Sequence, residues 1–396
     1  MQPLADRKLF FVGIGGAGLS GYAIVARAWG AEVVGWDRYE TPYLVHVREA
    51  GIAVEVSDEP PTVPDGYEAI VSTAFAGHVE GRTRAELLAE LVSFQDSIVV
   101  AGAHGKTTTA AMIAFVLDRL GRDPGFLIGA EVPQLDGNAR AGSGWLVVEG
   151  DESDRTIERL RPAIAVVTNV DLDHHTEFAS RGEVEALFER WLSDVPLTVR
   201  GDDLEPYEGE LGISGEHNRR NAATALAALE LAGVQSRDAW PVLRRFRGAG
   251  RRLQEVGVAG DVRVVDDYAH HPAEIEVTLA ALREQGAARV LVLFQPHLFS
   301  RTRHLSREIA VALAAADTVA VTEIYPAREQ PIEGVSGKLV VDALTELRSG
   351  MTVGWTPLIE DGVRFLSRRA RPGDVILTVG AGDVDRAAPL VLEELE

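Results

Sequence analysis

Cysteine is absent from this chain of 396 residues. That excludes disulfides, thiolate nucleophiles and thiolate metal ligands, so any chemistry must rest on oxygen, amine and imidazole groups. Lysine is nearly absent as well. Lys8, Lys106 and Lys338 stand among 39 lysines and arginines, which makes Lys106 the sole lysine in the long middle of the chain. No stretch approaches the roughly 18 uninterrupted apolar residues of a membrane helix. The run from Met1 to Lys8 leads directly into a short apolar segment, with neither the h-region nor the small-residue cleavage site of a signal peptide. A cytoplasmic location without membrane contact is expected. No basic stripe interrupts the formal net charge of -21, which would repel a polynucleotide, so no nucleic-acid partner is expected either.

What remains is an ordinary globular composition, 46% hydrophobic and 25% charged, on a chain too long for one core. Apolar runs ending in glycine or acidic residues alternate with segments of helical period, which reads as repeated βα units and parallel sheets. The class is α/β. Leu9–Val12 is a strand, followed by glycines, a helix from Leu19 to Trp29 and a strand from Glu32 to Asp37. A second unit starts at the strand Ser97–Ala101 and continues through the helix Thr107–Leu120 and strands at 145–149 and 163–168. A third follows the Gly/Arg-rich stretch 247–252, with strands at 262–265, 290–294, 318–322 and 375–379. Three domains are expected, over residues 1–96, 97–248 and 249–396.

Gly102-Ala103-His104-Gly105-Lys106-Thr107 sits between a strand and a helix. Glycines there let backbone N–H groups close on phosphate oxygens, a lysine reaches the β and γ phosphates, and a hydroxyl holds Mg²⁺. The plainer alternative is a glycine-rich turn. The coincidence of strand, turn, lysine and the Thr107-Thr108-Thr109 helix start argues against it. By spacing alone the loop could serve a hydrolase, a kinase or a ligase.

Gly13-Ile14-Gly15-Gly16-Ala17-Gly18 matches the G-x-G-x-x-G pattern after a strand, and Asp37 closes the next strand at a distance suited to a ribose hydroxyl. The motif says only that a diphosphate can rest on a helix N-terminus. NAD carries one, and so does a nucleotide sugar. Glu149-Gly150-Asp151-Glu152-Ser153-Asp154 and Asn169-Val170-Asp171-Leu172-Asp173-His174-His175 follow consecutive strands of the phosphate-loop unit, where Mg²⁺ is needed, and His174 could complete its shell. Solvated acidic loops are the alternative. Two histidine clusters close strands of the third unit, Asp266 to Pro272 and Phe294 to Arg301. With Arg301 they suggest a surface for anions; zinc competes, although no spacing resembles a standard ligand set.

Taken together these motifs resemble the Mur ligase family, and its alanine-adding branch most. The likeness rests, in chain order, on Gly13 to Gly21, Ala101 to Thr109, Glu149 to Asp154, Asn169 to His174, His217 to Ala222, Arg251-Arg252, Asp266 to Pro272, Phe294 to Thr302 and Gly380 to Asp383. It implies a Rossmann-like UDP-binding domain, a central P-loop ATPase domain with a mostly parallel sheet, and a C-terminal Rossmann-like domain for the amino acid. It implies ATP and Mg²⁺, with UDP-N-acetylmuramate and L-alanine as substrates, joined through an acyl phosphate by a monomer or homodimer. The residues it implies for the UDP-sugar are Gly13, Gly15, Gly16, Ala17, Gly18, Ser20, Asp37 and Ser72. For ATP they are Gly102, Ala103, His104, Gly105, Lys106, Thr107, Thr108, Asn218, Asn221 and Arg252. Thr107, Glu149 and His174 fall to the metal, and Tyr268, His270, His297 and Arg301 to the amino acid. Lys106, His174, His270 and Arg301 carry the catalytic roles, with His174 or His270 as the base.

The sequence departs from the family in short segments at 72–86 and 197–215, and in Leu298, where an arginine usually follows the histidine. Three rival functions stay open: a recycling ligase that attaches a tripeptide, an NAD-dependent dehydrogenase built on the first glycine motif, and a non-catalytic nucleotide sensor.

Overall fold

The computed structural model describes residues 2–59, 61–152, 154–171, 177–327 and 329–396. Among them the strands form three sheets. The first comprises β1 (Lys8–Val12), β2 (Glu32–Asp37), β3 (Ala53–Val56), β4 (Glu68–Val71) and β5 (Arg82–Thr83), in the order β3-β2-β1-β4-β5, all parallel. The second comprises β6 (Ser97–Ala101), β7 (Gly125–Val132), β8 (Gly137–Arg140), β9 (Leu146–Glu149), β10 (Ile164–Val167) and β11 (Leu197–Arg200). Its order is β11-β10-β6-β9-β7-β8, parallel except at the β7–β8 edge. The third comprises β12 (Gln254–Ala259), β13 (Val262–Asp267), β14 (Val290–Phe294), β15 (Thr318–Val321), β16 (Thr352–Trp355) and β17 (Val375–Val379). Here the order is β12-β13-β17-β14-β15-β16, antiparallel only between β12 and β13. The expected α/β class and mostly parallel sheets are therefore observed.

Each order reverses direction beside a strand that carries one of the motifs, and open α/β sheets place their ligands at such switch points, beyond the carboxyl ends of the strands. Gly13 and Ser72 follow β1 and β4, the phosphate loop follows β6 between β9 and β10, and Tyr268 and Gln295 follow β13 and β14.

Two compact units result. The first contains residues 1–213 and 218–249, hence both of the first two sheets. One apolar cluster joins them, running from Leu9 and Phe11 of β1 to Val99 of β6 and Val148 of β9. The glycine-loop helix, Ala17–Ala28, rests on the β7–β8 edge, where Gly21 leaves no room: a Cβ there would lie 2.9 Å from that of Ala139. The helix Lys106–Arg119 is buried without a break from Thr107 to Leu117, as expected of a helix that is apolar on every side. Truncating Phe115 there to alanine would cost about 3–5 kcal/mol, the usual penalty for an aromatic cavity. The second unit, residues 214–217 and 250–396, has its own core on the two faces of the third sheet.

Candidate active site

The phosphate loop is shaped by glycines in backbone regions that other residues avoid. Gly102 has φ +127 and Gly105, the N-cap of the helix Lys106–Arg119, has φ +79. Contact leaves no alternative either, since a Cβ on Gly102 would lie 2.3 Å from Thr168 Oγ1 and one on Gly105 2.2 Å from Asn221 Oδ1. Asn169 fixes the loop from outside. Its Oδ1 accepts from the His104 N–H at 2.9 Å, its Nδ2 donates to the His104 carbonyl at 2.8 Å, and Thr168 Oγ1 donates to the same carbonyl at 2.6 Å. Asn218 and Asn221 are buried against each other, 3.3 Å apart, on the far side of Gly105.

Lys106 folds back over this loop. Its Nζ donates to the Gly102 carbonyl at 2.5 Å and the Ala103 carbonyl at 3.2 Å, and pairs with Glu152 Oε1 at 3.0 Å. Burial opposes the ammonium charge, but Glu152, Asp151 and Glu149 outweigh it and hold the group well above the usual lysine range. Thr107 Oγ1 donates to Glu149 Oε1 at 2.9 Å, and Glu149 Oε2 accepts the Gly129 N–H at 2.7 Å. The acidic run after β9 is thus divided among three cations or donors: Glu149 to Thr107, Glu152 to Lys106, and Asp151 with Asp154 to Arg84. His174 lies outside the described residues, and among those described no group of three or more histidines and carboxylates is gathered to hold a metal.

In the first sheet, Gly13 (φ +83) runs so close to Ser72 that a Cβ would meet its Oγ at 2.5 Å. The Gly15 N–H donates to Asp37 Oδ2 at 2.7 Å, and Thr41 Oγ1 donates to the Gly15 carbonyl at 2.8 Å. Asp37, buried, therefore shapes the glycine loop directly. Gly16 is the N-cap of the helix Ala17–Ala28, Gly18 lies in its first turn, and Ser20 is buried within it.

The third sheet gathers a row of rings at its carboxyl edge. Tyr268 meets His270 edge-on at 5.5 Å between centroids, His270 meets His297 at 5.7 Å, and His297 stacks on Tyr325 at 5.9 Å and 13°. Arg301 Nη1 approaches His297 Nδ1 at 3.2 Å, and no carboxylate among the described residues pairs with Arg301. His270 Nδ1 lies 3.0 Å from the Tyr268 carbonyl and 3.5 Å from Glu274. Leu298 begins the following helix, Phe299–Leu313, with φ 69, a conformation that a branched residue adopts under strain of about 1–3 kcal/mol.

Of the two adjacent arginines, Arg251 is spent on its own unit. It donates to the Gly380 carbonyl at 2.6 Å, the Gly382 carbonyl at 2.9 Å and Asp266 at 3.0 Å. Arg252 lies over the Tyr268 ring at 5.3 Å. It also faces two buried groups of the same unit: burial, aided by Arg252, pulls His217 down to about 4, while burial pushes Asp267 up to about 6 against Arg252 and the N–H groups of Ala269 and Leu253.

The structure brings together Gly102 to Thr108 with Glu149, Asn218 and Asn221, and separately Tyr268, His270, His297 and Arg301. Sequence reasoning missed Thr168 and Asn169 as loop anchors, Glu152 as the partner of Lys106, and Tyr325 as the end of the ring row. A Thr-Asn pair directly after a strand beside the loop was a usable signal for the first two.

Family models match the chain in three consecutive parts: the Mur ligase catalytic domain at residues 8–95, the Mur ligase middle domain at 100–198, and the Mur ligase glutamate ligase domain at 251–382. The UDP-N-acetylmuramate–L-alanine ligase of Rubrobacter xylanophilus is 38% identical over 446 residues, covering 98% of this chain and all of that one. The corresponding ligase of Pelotomaculum thermopropionicum is 35% identical over 452 residues, covering 98% of each. Among solved structures, the UDP-N-acetylmuramate-alanine ligase of Thermotoga maritima superimposes with a TM-score of 0.82 at 26% identity, over 98% of this chain and 99% of that one. A murein peptide ligase from Psychrobacter arcticus shares the fold at a TM-score of 0.70 and 22% identity, over 98% and 99%. With three family models matched in order over residues 8–95, 100–198 and 251–382, and a relative 38% identical over 98% of its length, this chain belongs to the Mur ligase family.

Proposed function

We propose that the chain is an ATP-dependent ligase that joins L-alanine to the lactyl carboxylate of UDP-N-acetylmuramate, a step of peptidoglycan precursor synthesis in the cytoplasm. In this reading the lactyl carboxylate attacks the γ-phosphorus of ATP, and ADP leaves. The alanine amine then attacks the acyl carbon of the resulting acyl phosphate, inorganic phosphate departs, and the amine gives up a proton. The work is divided among residues 1–96 for the UDP-sugar, 97–248 for ATP and 249–396 for the amino acid.

The observation that carries the reading is the set Lys106, Thr107 and Glu149 on one glycine cradle, in a chain alike end to end to ligases of that name. A phosphate fits this cradle because glycine is required at both Gly102 and Gly105 and the helix Lys106–Arg119 turns its N-terminus to it. Mg²⁺ fits the Thr107–Glu149 pair, a hydroxyl beside a carboxylate, and when bound supplies charge neutralisation to the phosphoryl oxygens. His174 is the further ligand expected from the sequence.

Two anions must approach each other in the first step, so the ammonium of Lys106 does most where charge accumulates. Its present partners, two carbonyls and Glu152, hold it in the loop and keep it protonated. Asn218, Asn221 and Arg252 are assigned to ATP. Gly13 to Gly18, Ser20, Asp37 and Ser72 are assigned to the UDP-sugar, and Tyr268, His270, His297 and Arg301 to the amino acid. Arg301 is suited to clamp its carboxylate by a charge-assisted bond. His270 or His174 takes the amine proton.

Phosphate release measured with ATP, Mg²⁺ and UDP-N-acetylmuramate against a panel of L-alanine, glycine, L-serine and the recycling tripeptide tests the proposal. Release that depends on alanine and on the UDP-sugar supports it. Release with the tripeptide alone would move the chain to the recycling activity, and none with any acceptor would leave a nucleotide-binding relative without catalysis.

A further inference from the structure

The residue that joins the two nucleotide sites of the first unit is Arg84, which none of the assignments above uses. It is the first residue of the helix Arg84–Ser93, and a complete capping box between Thr83 and Glu86 fixes its backbone there. Its guanidinium is largely buried and works in two directions. Nη2 donates to Asp151 Oδ2 at 2.7 Å and to Asp154 Oδ2 at 2.8 Å, and Nε donates to Asp154 Oδ2 at 3.2 Å. Nη1 lies on the other side, against the first glycine loop, where a Cβ on Gly18 would sit 3.3 Å from it.

Each of those sides leads to a phosphate site. Gly18 is the last glycine of the loop that opens the helix Ala17–Ala28. Asp151 is flanked in sequence by Gly150, after which comes Glu149 on Thr107, and by Glu152 on Lys106. A guanidinium is a planar fork with five N–H groups, able to bind two anions at once in a way that an ammonium cannot. Tyr22, one turn below Gly18, adds to the cluster without adding charge, since burial pushes its hydroxyl up to about 12.

We propose that Arg84 is a positioning residue that couples occupancy of the sugar-nucleotide diphosphate site to the readiness of the phosphate loop. The inference rests on the ligand assignment given under the proposed function. A diphosphate at Gly15–Gly18 takes the Nη1 edge while Asp151 and Asp154 keep the Nη2 and Nε edge, so the ligand immobilises the guanidinium and with it the acidic loop. That loop holds Glu152 on Lys106 and Glu149 on Thr107, so ATP meets a site already in order. Linkage makes the effect reciprocal: whatever factor the UDP-sugar adds to ATP affinity, ATP adds to UDP-sugar affinity.

The test is a binding cycle on the full chain with alanine omitted. The magnesium complex of a non-hydrolysable ATP analogue is titrated calorimetrically with and without saturating UDP-N-acetylmuramate, for the wild type, Arg84→Gln and Arg84→Lys. The wild type is expected to bind the analogue about tenfold more tightly when the sugar nucleotide is present, within the usual span of coupling. Arg84→Gln should bring that ratio to about one while each ligand still binds alone, and Arg84→Lys should retain only part of it. A residue of merely structural importance would weaken both binary titrations and leave the ratio unchanged, which overturns the proposal, as does a wild-type ratio of one. Asp154→Asn, at an exposed position that keeps the arginine, should lower the ratio too and covers the case in which Arg84→Gln fails to fold. If the wild type binds the ATP analogue but not UDP-N-acetylmuramate, the ligand assignment fails and the coupling with it. A ratio that persists in Arg84→Gln sinks the coupling alone.

Discussion

The phosphate loop of the first unit and the ring row of the second are built on opposite plans. Around the loop the charged groups are already engaged: Lys106 has Glu152, Arg84 has Asp151 and Asp154, and Glu149 accepts from Thr107 and the Gly129 N–H. In the ring row the arginine meets a histidine ring nitrogen and no carboxylate among the described residues. The two plans follow from what each site is proposed to handle. A cradle for transferred phosphate gains from groups fixed before the charge develops, because no reorganisation is then needed during reaction. A site for a small zwitterion gains from a cation left to pair with the incoming carboxylate, at the expense of order in its absence.

Removing the central cation should break the first plan most severely. Lys106→Ala is expected to lower alanine-dependent phosphate release by about a thousandfold or more, at or above the 10²–10³ typical of losing one preorganised donor. UDP-sugar binding should stay within about twofold, because that assignment lies on another sheet. The substitution also leaves Glu152 buried without its cation, so a loss of turnover could reflect a disturbed loop. Adding Glu152→Gln separates the two: thermal stability should return toward that of the wild type while phosphate release stays lost. Turnover that returns with stability would show that Lys106 acts as a structural ion and not on phosphate.

Next in size is the cation of the ring row. Arg301→Ala should raise the KM for alanine by about a hundredfold, as for a lost charge-assisted bond of about 1.5–3 kcal/mol, and leave the KM for ATP nearly unchanged. Steady-state kinetics with each substrate varied in turn reads this directly. An equal rise in both constants would mean that the second site, too, is one rigid network.

A smaller effect is expected at the loop anchor. Asn169→Ala removes two bonds to the His104 backbone and should cost about 2 kcal/mol in kcat/KM for ATP, roughly thirtyfold, with little change for alanine. If the anchor serves folding alone, the loss will appear in the melting temperature and not in that ratio.

Much of this was legible in the sequence, and the limits are physical. The strands at Leu9–Val12, Ser97–Ala101 and Val290–Phe294 and the helix after Lys106 could be read because buried parallel strands and turn glycines are local signals. The phosphate loop was legible for the same reason. Among the described residues eight strands went unread: β3, β5, β8, β11, β12 and β16 lie at sheet edges and are mostly short or half-exposed, β5 having only Arg82 and Thr83, while β4 and β7 lie inside their sheets. The sequence also showed a block of carboxylates at 149–154 but not its division among Thr107, Lys106 and Arg84. Those partners lie about 40 to 70 positions away on other elements, and only the folded sheets choose among them. Arg251 and Arg252 are neighbours of the same type and both lie over the Tyr268 ring, yet Arg251 is also bound by two carbonyls and a carboxylate. Arg251 itself has φ 55, and composition carries no trace of the difference between the two.

The smallest expected effect is the small net pH dependence contributed by two opposed groups of the second unit, His217 and Asp267. His217 is depressed to about 4 from an ordinary 6.5, so the unfolded chain binds the extra proton between those values. Its contribution to stability is complete above pH 6.5 and is lost as pH falls toward 4. Asp267 is raised to about 6 from 3.8, so the folded chain holds the extra proton. Its contribution is complete below pH 3.8 and is lost as pH rises through 6. Between pH 4 and 6 the two slopes oppose each other, each approaching about 1.4 kcal/mol per pH unit, and their sum is close to zero. His217→Gln removes one of them. Hydrogen exchange at the Val264–Asp267 amides, corrected for its intrinsic pH dependence, should then show stability falling from pH 4 to 6 relative to the wild type. Parallel profiles for the two proteins would mean that His217 is not buried neutral, and the difference between an ordered first site and a receptive second one would have to be argued without it.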